Sequence, residues 1–287
     1  MILVTGATGN VGSKLLRELA TRKAAFRALV HKVEDVGRLR AQGIEAVHGD
    51  ITNPASIRPA LQGIQRLYVL SPGSPQLAEI ESALVTEARR AGVQYIVKQS
   101  VLGADTHAVC PFTSIHAYAE EAVKASGLAY TFLRLNSFMQ NFVVLHARSL
   151  VSQGTFYEPL ADARVSHVDT RDIATAAARV LTEAGHEGQA YDITGPAALS
   201  NMQIAAQLST LLQRQVTYTP TSDEALREGL LAAGFSAWYV DGLVKLYQFY
   251  RQGGGAPVTS DLERLIGRSP RTMEAYLQEN RVAFQQV

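Results

Sequence analysis

Gly6-Ala7-Thr8-Gly9-Asn10-Val11-Gly12 is the stretch on which the fold turns. It follows residues 2–5, a continuous apolar run of the kind a strand covered on both faces carries. Val11, Leu15, Leu16 and Leu19 then fall on one helical stripe. Glycines at 6, 9 and 12 between a buried strand and an amphipathic helix meet three needs of a dinucleotide site. They allow a tight turn, close approach of backbone to a pyrophosphate, and close helix–strand contact, while the helix N-terminus offers N–H groups and partial positive charge. The loop is therefore read as a phosphate cradle contributed by Gly6, Thr8, Gly9, Asn10, Val11 and Gly12, with a purely structural turn as the competing reading.

Outward from this loop, β-rich runs alternate with helical periodicity. Strands are predicted at Phe26–Val30, 44–47, 67–70, 95–97 and 130–135. Leu77, Ile80, Leu84, Val85 and Ala88 trace one intervening helix, and residues 115–126 another. Strands separated by helices of about 10 to 15 residues mean βαβ units and a parallel, doubly wound sheet, an α/β fold of Rossmann type. Past residue 135 the pattern loosens into a helix at 138–151, a segment at 164–168, a helix from Thr170, a strand at 190–193, and mostly helix from Ser200 with one strand at 216–218. The expected organisation is a dinucleotide-binding domain over 1–153, re-entered by the chain at about 164–194. A smaller, mostly helical substrate region covers 195–287 with contributions from 137–160.

The 287 residues carry a net charge of +1, with 47% hydrophobic and 18% charged residues, which excludes disordered and fibrous classes. A near-neutral chain has no global field for nucleic acid or an anionic membrane. One cysteine, Cys110, permits neither an internal disulfide nor a Cys-based metal site, and suits a reducing, cytoplasmic setting. The first residues lack the charged flank of a signal peptide. Residues 193–213 contain no acid or base, yet Gly195-Pro196, Asn201 and three glutamines interrupt them, so a strand end, a turn and an amphipathic helix are expected rather than a membrane span.

Sites that prefer NAD place an acid at the end of the second strand to bond the ribose 2′-hydroxyl. Here that strand ends in His31-Lys32, two groups able to donate to a 2′-phosphate, which favours NADP. A solvated basic turn is the alternative.

Further stretches carry a resemblance. They are Val4-Thr5-Gly6-Ala7-Thr8-Gly9, Gly49-Asp50-Ile51, Tyr68-Val69-Leu70-Ser71-Pro72, Ile96-Val97-Lys98-Gln99-Ser100 and His116 with Glu120. Toward the C-terminus they continue as Ser126-Gly127-Leu128-Ala129-Tyr130-Thr131-Phe132-Leu133-Arg134, Val168-Asp169-Thr170-Arg171-Asp172-Ile173-Ala174 and Gly267-Arg268-Ser269-Pro270-Arg271-Thr272. Together they resemble the NmrA-like branch of the atypical short-chain dehydrogenases/reductases, nearest its NAD(P)H:quinone oxidoreductase and triphenylmethane reductase-like group. The resemblance implies that Asp50 bonds the adenine amino group, with Ile51 against the ring. It implies that Leu70 and Ser71 line the cofactor and that Lys98 and Ser100 approach the nicotinamide ribose. Two other readings stand beside these: a solvent-exposed Lys98, and Asp50 as a helix N-cap before Pro54.

Most short-chain dehydrogenases use Tyr-x-x-x-Lys, the lysine lowering the tyrosine pKa for proton exchange with substrate. None of the 11 tyrosines here has a lysine four residues on. Tyr118 stands nearest the expected position, with Ala122 where lysine belongs, and Tyr95 and Lys98 at spacing three on a strand face opposite ways. Alcohol dehydrogenase and sugar epimerase chemistry are therefore disfavoured. A conjugated electrophile such as a quinone or an iminium-like dye cation takes a hydride directly, leaving the protein to supply orientation and a dry pocket.

Lys98 and Tyr118 are the catalytic candidates. His116, Phe138, Met139, Asn141, Phe235, Trp238 and Tyr239 are expected to form a substrate pocket between the sheet edge and the C-terminal helices, although aromatics at helical spacing also serve as core. His116 and Glu120, at i and i+4, form either a structural pair or a proton relay. The function read from this pattern is an NADP-dependent reductase of a small quinone-like electrophile, monomeric or homodimeric. The alternative is a non-catalytic NAD(P)-binding redox sensor acting through a protein partner.

Overall fold

The central sheet is built around short apolar runs, fully buried in β1 (Ile2–Val4), because side chains on such a strand are covered on both faces. The computed structural model describes residues 1–285; the last two residues of the expected C-terminal region, Gln286 and Val287, lie outside the described residues. In chain order the first elements are β1 (Ile2–Val4), α1 (Gly12–Thr21), β2 (Phe26–Val30), α2 (Val33–Arg40), β3 (Ala46–His48) and α3 (Pro54–Leu61). Next come β4 (Arg66–Val69), α4 (Leu77–Arg90), β5 (Tyr95–Val101), α5 (Pro111–Ala125) and β6 (Ala129–Leu135). After α6 (Gln140–Gln153), β7 (Thr155–Glu158) and β8 (Arg164–Val165), the chain returns through α7 (Thr170–Thr182) to β9 (Gln189–Ile193).

The seven strands order as β3-β2-β1-β4-β5-β6-β9, parallel from β3 through β5. Ile2 pairs with Phe26 on one side and Arg66 on the other. The strand order reverses direction between β1 and β4, which makes the ends of those two strands the switch point where ligands of open α/β sheets bind. The α/β, doubly wound expectation is met.

Two compact units divide the chain. The sheet unit holds residues 1–108, 113–134 and 173–192. Its core is built on Leu3, Leu29, Leu67, Ile96 and Phe132 with Ile57, Leu84 and Val123 from the covering helices. The other unit contains α6, β7 and β8, then β10 (Leu199–Ser200), α8 (Asn201–Leu212), β11 (Thr217–Pro220), α9 (Asp223–Ala232), α10 (Ala237–Arg251), α11 (Asp261–Ile266) and α12 (Met273–Glu279). Helix α6, expected at the end of the nucleotide domain and as a contributor to the substrate region, groups with this unit. Its Phe142 and Leu150 are buried with Phe156, Leu208, Tyr218 and Tyr276. Strand β7, which the sequence reading did not anticipate, pairs in parallel with β11, Phe156 opposite Tyr218.

Two of the motifs quoted above close on each other in this second unit. The fully buried Asp172 carboxylate accepts Arg268 Nη2 at 2.5 Å and the Arg271 amide at 2.7 Å, and also pairs with the Arg271 guanidinium. One turn earlier, Asp169 accepts Arg171 through both carboxylate oxygens, Nε at 3.0 Å on Oδ1 and Nη2 at 2.6 Å on Oδ2. Bidentate and paired contacts of this kind fix register as well as energy.

Candidate active site

The end of β1 is stapled to the end of β4. Thr5 Oγ1 accepts the Leu70 amide at 2.8 Å and lies 3.0 Å from the Leu70 carbonyl. Gly6 then turns with φ +60°, a conformation L side chains avoid, and its carbonyl accepts the Gly9 amide at 3.0 Å. At Gly12 a Cβ would sit 2.1 Å from that same carbonyl oxygen, so the loop curls tightly against the start of α1. No side chain caps α1. The Ser13 and Lys14 amides are taken by the Gly9 and Val11 carbonyls at 3.0 Å, so what the helix end offers the loop is its positive dipole end.

Thr8, Gly9 and Asn10 form the exposed crest of the loop. Val11 does not: its side chain is buried, because the helix stripe turns it into the core, and only its main chain belongs to the cradle. Lys14, which the sequence reading passed over, brings its ammonium to the crest, 2.8 Å from the Asn10 carbonyl and 2.7 Å from Asn10 Oδ1.

Beside this loop lies a cleft of about 440 Å³ lined by Thr5, Gly6, His31, Asp50, Ile51 and Leu70, among others. Asp50 Oδ1 accepts the amide and the hydroxyl of Thr52 at 2.9 and 2.8 Å. These two bonds hold its carboxyl below the usual carboxylate range. Its Oδ2 lies 3.9 Å from His31 Nδ1. The N-cap reading of Asp50 is corrected: Asn53 caps α3, accepting the Ala55 amide at 3.2 Å, because it directly precedes Pro54 at the first helical position. His31 is exposed on the cleft wall, while Lys32, also exposed, stands outside its lining at the start of α2. Glycine cradle, uncapped helix end and apolar walls fit an adenine dinucleotide.

At the ends of β4 and β5 the structure revises two expectations. Lys98 is not solvent-exposed: its side chain is wholly buried, with Nζ 2.5 Å from Glu81 Oε2 on α4. Ser100 is buried too, donating to Glu120 Oε1 at 2.6 Å. Glu120 in turn holds Arg134 by two bonds of 3.0 and 2.6 Å, so it is not the partner of His116. His116 Nδ1 instead lies 3.2 Å from Lys98 Nζ. The two ion pairs, Lys98 with Glu81 and Arg134 with Glu120, have one physical reason: a charge removed from water must be paired, here with a residue on another element. Ser71 Oγ is buried without a hydrogen bond of normal geometry, yet close enough to Glu81 to favour its ionised form. Burial outweighs that and the Lys98 charge, pushing the Glu81 carboxyl up. Tyr118 is exposed, its hydroxyl 3.4 Å from the Thr106 carbonyl.

In the second unit the structure brings together Phe235, Trp238 and Tyr239. Phe235 stacks on Tyr239 at 5.4 Å, and Trp238 meets Phe112 edge-on at 5.3 Å. Phe112 is a member of this cluster that the sequence reading missed; it packs where a Cβ on Gly242 would collide at 2.4 Å. Phe138 is half-buried in a bridge to Val168, and Asn141 is exposed in the first turn of α6. Met139 is 1% exposed, packed with Phe142 and Phe156, and it lines a cavity of about 210 Å³ together with Val165, His167 and Leu199. Among the described residues no helix is long and apolar enough to cross a membrane, and no cluster of three metal-ligating side chains occurs.

Comparison with known proteins finds that the NmrA-like family model matches residues 1–277. The chain is 34% identical over 284 residues to NAD(P)H azoreductase of Xenophilus azovorans, covering 99% of each chain. It superposes on the Escherichia coli NADPH-dependent quinone oxidoreductase complexed with NADPH with a TM-score of 0.89 at 30% identity, covering 98% of this chain and 100% of that one. With Citrobacter sp. triphenylmethane reductase complexed with NADP(H), the TM-score is 0.86 at 28% identity, covering 97% and 99%.

Proposed function

Because this chain belongs to the NmrA-like family, we propose that it is an oxidoreductase that uses NADPH to reduce quinones and comparably conjugated electrophiles, azo compounds and cationic triarylmethane dyes included. The observation that carries the reading is the cleft at the β1/β4 switch point, whose lining joins Gly6 of the glycine loop with Asp50 and His31.

In this reading the 6–12 loop and the N-terminus of α1 take the pyrophosphate, with Lys14 adding positive charge. Asp50, its Oδ1 committed to Thr52, offers Oδ2 to the adenine amino group, and Ile51 and Leu70 supply apolar walls. His31, on the cleft wall, takes the 2′-phosphate, with the Lys32 charge next to it in the chain, at the start of α2. When bound, NADPH supplies a hydride at the nicotinamide ring. No Tyr-x-x-x-Lys pair serves the acceptor, and Tyr118 is followed one turn later by Ala122. The acceptor must therefore be electrophilic enough to take a hydride without prior activation by such a pair.

Two experiments test this. NADPH consumption is expected on addition of a quinone or a cationic dye, and a broad panel of such acceptors with no consumption at all would remove the reading. For the cofactor, replacing His31 and Lys32 together by alanine should cut the preference for NADPH over NADH by about tenfold or more, since a charge-assisted bond is worth about 1.5–3 kcal/mol. An unchanged ratio would take the two residues out of the phosphate site.

A further inference from the structure

Lys98 Nζ reaches three acceptors. They are Glu81 Oε2 at 2.5 Å, the Gln99 carbonyl at 3.3 Å and His116 Nδ1 at 3.2 Å. An ammonium has three donors and no acceptor, so the contact with the imidazole has one polarity: Lys98 donates and Nδ1 accepts. His116 is thereby the neutral tautomer with its proton on Nε2. Burial, and then the Lys98 charge, hold it well below the usual histidine range, so it takes no second proton near neutrality. Its Nε2 has no hydrogen-bond partner among the described residues and is not sealed from solvent. The other polar side chains nearby are already engaged. Glu120 is held by Ser100 and Arg134, and Gln99 accepts the Tyr68 hydroxyl at 2.9 Å. Ser71 and Glu81 directly follow Leu70 and Ile80, two residues of the cofactor cleft wall.

We propose that Glu81, Lys98 and His116 form a proton relay that completes the reduction of quinone-type acceptors, with His116 as the catalytic residue and Lys98 and Glu81 as the groups that position and recharge it. This deepens the reductase reading and rests on it. A quinone that has taken a hydride, with its two electrons, from reduced nicotinamide is a hydroquinone monoanion lacking one proton. Its oxygen takes the proton from Nε2 while Nδ1 takes one from Lys98, so one O–H and one Nδ1–H bond form as one Nε2–H and one Nζ–H bond break. Lys98 is left as an amine against Glu81. The relay resets when Nε2 takes a proton from water and Nδ1 returns its own to Lys98. A triarylmethane cation differs, because the hydride alone converts it to a neutral product.

That difference supplies the test. In the cofactor-free protein, ¹⁵N NMR of His116 should show a protonated Nε2 and a bare Nδ1 between about pH 5 and 8. With NADPH present, His116→Gln should lower the ratio of quinone to cationic-dye turnover by about 100-fold, the lower end of general-acid contributions. The wild-type protein should show a solvent deuterium effect on the quinone reaction that the dye reaction lacks. An Nδ1-protonated ring, or equal losses on the two acceptors, would overturn the relay while leaving the reductase reading in place. No turnover of either acceptor by the wild-type protein would overturn both.

Discussion

Gly12→Ala is expected to weaken NADPH binding by about 100-fold or more and to lower the melting temperature. The added methyl would stand 2.1 Å from the Gly6 carbonyl oxygen, 2.8 Å from its carbon and 3.0 Å from Ala7 Cα, all of them backbone. Nothing flexible is available to yield, so the loop must move away from α1. Overpacking of this sort costs about 1–3 kcal/mol in stability. A displacement near 1 Å in a positioning element costs about two orders of magnitude in function. Gly37 in α2 is the control, since a Cβ there meets nothing within 4 Å. Gly37→Ala should be neutral or stabilising by about 0.5–1 kcal/mol, because alanine forms helix better. Fluorescence titration with NADPH and thermal melts of both variants check this, and wild-type affinity in Gly12→Ala would mean that the loop cradles no phosphate.

The second large effect concerns the buried ion pair. Glu81→Ala removes the counter-charge of an ammonium that is completely enclosed, with side-chain exposures of 0% and 1% for Lys98 and Glu81. Breaking a buried pair from one side costs about 3–5 kcal/mol. Denaturant unfolding should register a loss of that size, with the midpoint shifted and the slope little changed. The double variant Glu81→Leu with Lys98→Met replaces both charges by apolar groups of similar bulk, and such replacements are often neutral or stabilising. It should recover most of the lost stability without recovering quinone turnover. A double variant no more stable than Glu81→Ala would show that the pair is not what makes the single change costly.

How far the sequence carried differs between backbone and site. The first strand, the glycine loop and α1 were legible because a buried parallel strand is an unbroken apolar run and the helix behind it keeps one stripe. Strand Phe26–Val30 matched its expected bounds for the same reason. Strand β7 was not legible: Thr155-Phe156-Tyr157-Glu158 is short and finds its strand partner in β11, some sixty residues on. Helix α3 contains two prolines, Pro54 and Pro59, which obscure its period.

In the site, glycine positions and Asp50 could be placed because loop geometry and strand ends are local properties. Partners could not. Lys98 was expected at a ribose since its position at a strand end is visible, whereas Glu81, on a helix between two strands, sits where spacing gives no hint of a contact. His116 and Glu120 share a helix face as i, i+4 spacing dictates, yet each bonds a different strand residue, Lys98 and Ser100. Asp172 with Arg268 and Arg271 repeats the lesson across about a hundred residues.

Direct hydride transfer from NADPH to an electrophilic acceptor leaves an isotopic trace in the product. Its most direct measurement uses NADPH carrying deuterium at the transferable position of the nicotinamide, a cationic triarylmethane dye and mass spectrometry of the reduced dye. One deuterium atom at the central carbon of the product is the predicted result. Tight NADPH binding with the deuterium never leaving the cofactor, for this dye and for every quinone tried, would contradict the account and leave a nucleotide-binding sensor in its place.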